Sequence, residues 1–231
     1  MAIRSDTASP SDRSLHRRRN AAWAEFWLLL ACYSVLYVAI AVLVERHVVT
    51  SDVISRSWPV DGLEDRFDAF AAQRRTWTIV GYAITPAFLV TKVGFTAVCL
   101  AAGCAIAYWD VALADLFRLS AQCEVIWVVA AVIQLIWAVT FIRVETVADY
   151  TGFYPLSALN LFDLMEDELW ASYLLRSLNL FEVLYVGALA LGLRAMIPRP
   201  IAHVVGLVAA AYGTGLFLFV AAVTFLLMAL M

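Results

Sequence analysis

Lysine is almost missing from this chain: Lys92 is the only one, and the other fifteen of the 16 basic residues are arginines. Charge of either sign is scarce. Only 15% of the 231 residues are charged and 64% are hydrophobic, with a mean hydropathy of +0.83. A soluble domain is roughly 45–50% apolar and about 25% charged, so the excess excludes a soluble globule of this size and makes lipid the solvent. The net charge of −3 and the pI of about 5.6 exclude a nucleic-acid binder, which needs a basic face.

Enzyme signatures are missing as well. The chain has no "HExxH", no phosphate-binding glycine loop and no "GxSxG", so the expectation is a protein without catalytic residues. Its three histidines, His16, His47 and His203, stand alone at the ends of apolar runs and predict no metal site. Cys32, Cys99, Cys104 and Cys123 lie in or beside apolar runs without paired ligand spacing, which makes them small apolar fillers rather than a disulfide framework. No cofactor is expected. The acidic "DLMEDEL" of Asp163–Leu169 reads as a solvated face.

What is abundant is the long apolar run. Met1–Asn20 is polar, ends in "HRRRN" and reads as a flexible basic tail that meets anionic headgroups, with residues 21–231 forming the membrane domain. Five spans are expected, at about 21–44, 86–108, 124–142, 174–193 and 202–230; each is near the ~20 residues that cross 30 Å of hydrocarbon. The first run is longer than a signal-peptide core and continues past the "LLAC" at Leu29–Cys32, so it reads as an uncleaved span. The second is started at Pro86, because proline suits a first helical turn. Between the first two, "DGLEDRFDAFAAQRR" has Asp61 and Glu64 in capping-box spacing and Leu63, Phe67 and Phe70 at i, i+4 and i+7. That pattern predicts a short amphipathic helix at the interface near Asp61–Arg75. The fold class is therefore all-α: a polytopic membrane protein with a bundle of five transmembrane helices. The five arginines of the tail place the N-terminus on the cytoplasmic side.

Polar residues inside the spans are the candidates for chemistry: Lys92, Glu124, Gln134, Asn179 and Glu182. A lone charge in hydrocarbon costs about 2.5–3.5 kcal/mol on insertion scales. Thr85, Lys92, Thr96, Cys99 and Gly103 share a face of mostly small side chains, which predicts packing against another helix. The last span offers small-xxx-small partners in Gly206 with Ala210, Ala209 with Gly213, and Ala211 with Gly215. Depth selects the counter-ion. With a second span starting at Pro86, Lys92 lies ~9 Å in at 1.5 Å per residue, level with Glu182, whereas Glu124 heads the third span at the opposite interface. The expectation is a Lys92–Glu182 pair, with Asn179 or Thr96 satisfying a spare hydrogen bond. Two alternatives remain open: Lys92 snorkels outward alone, or a second span starting nearer Thr78 brings it down to Glu124.

Tyr150–Arg194 contains "FYPLSALNLF", an acidic connector and "YLLRSLNLFEVLYVGALALGLR". These words, with "PAFLVTK" and an acid at the head of the third span, resemble the bacterial branch of the Ypt-interacting-protein (Yip) family. The words cover about 45 residues. The resemblance implies a small helical bundle with a cytosolic N-terminus in a bacterial cytoplasmic membrane. Eukaryotic members of that family bind Rab-type GTPases in vesicle traffic; their "DLYGP"-like stretch is absent here, and no residue role carries over. Two functions follow. One is a non-enzymatic scaffold or partner-binding protein in the bilayer, acting with a protein partner or as a homo-oligomer. The other is a small transporter or permease subunit moving an ion or polar solute past Lys92.

Overall fold

The computed structural model describes residues 10–57, 67–141, 144–152, 156–158, 175 and 179–230. Among them the protein is all helix: α1 (Pro10–His47), α2 (Ser51–Ser57), α3 (Phe67–Ile106), α4 (Leu113–Cys123), α5 (Val125–Thr140), α6 (Val147–Gly152), α7 (Leu180–Met196) and α8 (Ile201–Leu230). Only an isolated bridge between Ser157 and Asn179 interrupts this pattern.

Among the described residues, four stretches are long and apolar enough to cross a membrane: Asn20–His47, Thr76–Ile106, Leu113–Thr140 and Ile201–Phe225. The protein is thus a polytopic helical membrane protein. α7 is 17 residues long, about 26 Å at 1.5 Å per residue, and starts later than the expected 174.

Several boundaries differ from the sequence expectation. The basic tail is not wholly irregular, since α1 begins at Pro10 and runs unbroken into the first span; proline is favoured at a first helical position and arginine propagates a helix well. Phe67–Arg75 does not form a separate surface helix but the opening turns of α3, while residues 61–66 lie outside the described residues. Pro86 does not start the second span; it sits inside the 40-residue α3. A membrane helix tolerates an internal proline where its surroundings make up for the lost backbone bond. α3 stops at Tyr108, which takes a left-handed φ of 56°. There Trp109 N–H bonds the Cys104 carbonyl at 2.8 Å and Tyr108 N–H that of Ala105 at 3.1 Å, a Schellman closure with tyrosine in the place glycine usually takes.

The largest correction concerns Asp110–Cys123, expected as a polar connection. Most of it is α4, which joins α5 through the single residue Glu124. Leu116, Leu119 and Cys123 repeat at i, i+3 and i+7 on its buried side, and Asp115, Arg118 and Gln122 repeat at the same spacing on the other.

Two apolar clusters organise the bundle. One joins Ala97, Leu100 and Cys104 of α3 to Leu116 and Leu119 of α4, Tyr185 and Leu189 of α7, and Val204 and Val208 of α8. The other joins Phe26, Leu30 and Tyr33 of α1 to Leu89 and Val93 of α3 and Val128 of α5. The small-residue seam forms where α3 and α8 run antiparallel. A Cβ on Gly103 would stand 2.7 Å from Ala211 Cβ, and one on Gly215 would stand 2.5 Å from Cys99 Sγ. Only glycine permits this approach. Gly206 and Gly213 meet no such neighbour. All four cysteines are free thiols, with Cys104 and Cys123 buried.

Candidate functional site

The site lies between the two clusters, at the joint of α4 and α5. Glu124 keeps right-handed dihedrals (φ −60°, ψ −20°), but its N–H reaches the Ala121 carbonyl at 3.2 Å, an i to i−3 bond that tightens the turn. Its side chain is fully buried. Lys92 Nζ of α3 donates to Glu124 Oε1 at 2.6 Å, and the Tyr37 hydroxyl of α1 donates to the same oxygen at 3.2 Å. The ammonium also stands 4.5 Å from the centre of the Trp127 ring on α5, close enough for cation–π attraction. Lys92 keeps 28% of its side chain exposed while Glu124 has none, so the stem leads to the bundle surface and the charge points inward.

The expected partner was Glu182, and the structure gives Lys92 to Glu124 instead. The reason is depth. Lys92 is 16 residues into Thr76–Ile106 and Glu124 is 11 residues into Leu113–Thr140. Both therefore sit well inside the hydrocarbon, as the alternative with an earlier start of the second span required.

Glu182 remains within electrostatic reach of Lys92, Glu124 and Tyr212 of α8. Thr96 does not meet the ammonium. Its hydroxyl donates to the Lys92 carbonyl at 3.2 Å and accepts from Tyr185 of α7 at 3.4 Å. Tyr185 is fully buried, with ring centroids 6.1 Å from Trp127 and 5.5 Å from Tyr212. Asn179 also departs from expectation: it caps α7, its side chain accepting from Glu182 N–H at 2.8 Å. Of the predicted residues, Lys92, Glu124, Thr96 and Glu182 share one neighbourhood, and Asn179 caps the helix that carries Glu182. Sequence reasoning missed Tyr37, Trp127, Tyr185 and Tyr212, since a tyrosine or tryptophan in an apolar run looks like any other large filler.

A cleft of about 530 Å³ opens between α1 and α3, with Tyr150 of α6 on its wall. Among the described residues Glu45 is the one charged residue lining it, and Tyr82 donates to Glu45 at 2.8 Å. Thr78 and Thr85 carry the lining along α3 toward Lys92, and Tyr37 lines it on α1. Tyr37 therefore touches the cleft and Glu124 alike.

A second polar group sits nearer a membrane edge. Gln122 donates to Glu25 at 2.6 Å and Arg118 pairs with Glu25 at 3.5 Å. Among the described residues no three His, Cys, Asp or Glu side chains gather as metal ligands. The two words of the Tyr150–Arg194 resemblance meet in space: Leu180 N–H bonds the Leu156 carbonyl at 3.1 Å beside the Ser157–Asn179 bridge. The acidic connector between them lies outside the described residues. Compared with family models, curated proteins and solved structures, the chain matches none.

Proposed function

We propose that this protein is a non-enzymatic scaffold of the cytoplasmic membrane of a bacterium. It is a Yip-like bundle in which α7 makes a fifth pass, the N-terminus is cytoplasmic, and the outer helix faces bind a protein partner or a second copy. The observation that carries this reading is the pairing of Lys92 with Glu124 across the bundle. Lys92 is bonded to a fully buried Glu124 and covered by Trp127, and Tyr37 binds the same carboxylate. Three helices are thereby tied at mid-depth, which suits a bundle that must hold a fixed outer shape.

The test is affinity purification from native membranes under mild detergent, with mass spectrometry. A scaffold returns a protein partner or a defined homo-oligomer in fixed proportion. Accumulation of an ion or polar solute in proteoliposomes, above empty vesicles and lost in Glu124→Gln, would overturn the reading. One observation favours that second reading, a small transporter or permease subunit: the cleft reaches Tyr37, and Tyr37 reaches Glu124.

A further inference from the structure

The central cluster carries one carboxylate too many. Lys92 brings one positive charge, while Glu124 and Glu182 bring two carboxyl groups, all within electrostatic reach of one another. The other titratable groups facing the cluster are Tyr33 and Tyr37 of α1, Cys123 of α4, Tyr185 of α7 and Tyr212 of α8. Each of these is neutral in its ordinary form, so with both carboxyls ionised the cluster would hold a net negative charge inside the bilayer. Buried charges are retained where they are paired, and among the described residues Lys92 is the one cation acting on the second carboxylate.

Hydrogen bonding points the same way. Glu124 Oε2, Glu182 Oε1, Ser120 Oγ and Trp127 Nε1 are buried without a hydrogen-bond partner. Ser120, Glu124 and Trp127 follow one another at i, i+4 and i+7, so they share a helical face. Orphaned buried polar atoms require an explanation. The two carboxylate oxygens are acceptors, and among the described residues no donor reaches either. A single proton turns one of them into a donor and brings the cluster to neutrality.

We propose that Lys92, Glu124 and Glu182 form a binding site for one proton, carried by Glu182. Glu124 is the ionised member because its Oε1 accepts from both the Lys92 ammonium and Tyr37. Glu182 is the neutral member: the one ammonium is bonded to Glu124, and Glu182 Oε1 is buried without a partner. Gaining or losing this proton changes the charge of the bundle core by one unit without any other ligand.

The test is infrared spectroscopy of the full chain reconstituted in lipid, following the carboxylic C=O stretch from pH 5 to pH 9. A neutral-acid band at pH 7 that vanishes in Glu182→Gln is the expected result. Absence of the band at pH 7, or its survival in Glu182→Gln, overturns the proposal. Thermal stability gives a second readout. The wild type loses stability as alkali removes the band, because an uncompensated carboxylate is left behind, whereas Glu182→Gln is flat over the same range. Glutamine has the shape of the neutral acid, so a Glu182→Gln chain that fails to fold also counts against the site.

Discussion

Two ion pairs on one membrane span behave as opposites. Glu124, at the joint of α4 and α5, is fully buried and takes Lys92 at 2.6 Å. Arg118, six residues earlier on the same span, meets Glu25 at 3.5 Å with 35% and 40% of the two side chains exposed. The first pair lies at mid-depth and is held by groups from α1, α3 and α5. The second lies five residues from the starts of Asn20–His47 and Leu113–Thr140, where long side chains reach the headgroups. Charge chemistry is the same in both; what differs is the cost of leaving one partner alone.

Breaking the central pair should have the largest effect. Lys92→Met or Glu124→Leu leaves a buried charge uncompensated. Removing one member of a buried pair destabilises by about 3–5 kcal/mol. The double variant Lys92→Met with Glu124→Leu should recover most of that loss, since apolar residues of similar volume often replace a buried pair without penalty. Thermal melts in detergent of the two singles and the double decide it; losses that simply add would show that the two side chains are not coupled.

A smaller effect sharpens the same point. Tyr37→Phe keeps the ion pair and removes one hydrogen bond to a charged acceptor, worth about 1.5–3 kcal/mol. The loss should disappear when the substitution is made in Glu124→Gln, because the charge that strengthens the bond has gone. An equal loss in both backgrounds would mean that Tyr37 acts by packing against α1 and α3 alone.

The apolar runs were legible because composition alone exposes them: the four spans are stretches in which charge is scarce. Their ends were harder. Pro86 was taken as a start by a rule learned from soluble helices, and that one choice placed Lys92 about 15 Å too shallow at 1.5 Å per residue. α4 was hidden because its polar residues outweigh a short apolar face, although the i, i+3, i+7 spacing of Leu116, Leu119 and Cys123 was there to be read. Asn179 carried its own signal: an asparagine three residues before a glutamate marks a helix start. The site's tyrosines and Trp127 had none, since only the packing of α1, α5, α7 and α8 decides which aromatic hydroxyl faces a carboxylate. The charged members of the site were found as a group, and their pairing depended on depth.

The rim pair should respond little. Arg118→Gln removes a partly exposed ion pair of the kind worth about 0–1 kcal/mol, and Gln122 still donates to Glu25. The difference between wild type and variant should shrink as salt is raised through a few hundred millimolar, while the difference between wild type and Lys92→Met should not, because salt screens exposed charges far more than buried ones. Equal salt sensitivity of the two would erase the contrast between centre and rim.

The smallest effect is expected outside the membrane. Thr146 and Asp149 form a reciprocal cap on α6: Asp149 accepts from Thr146 N–H at 2.8 Å and from Glu145 N–H at 3.1 Å, and its own N–H reaches the Thr146 hydroxyl at 3.3 Å. The backbone N–H of Thr146 first, and its side chain second, hold the Asp149 carboxyl below its ordinary value. A carboxyl lowered in the folded state contributes at neutral pH and loses that contribution as pH falls through the folded value. Acid should therefore loosen α6 and speed amide exchange at Glu145 and Thr146, with no change in the melting of the membrane bundle, because α6 is only six residues long. Asp149→Asn should exchange fast at every pH. This dependence has the opposite sign to that of the proton on Glu182, where stability is lost on going alkaline. A single sample titrated in both directions separates them: acid should release the α6 amides alone, and alkali should lower the global melt alone. A global melt that does not fall on the alkaline side would refute the proton on Glu182.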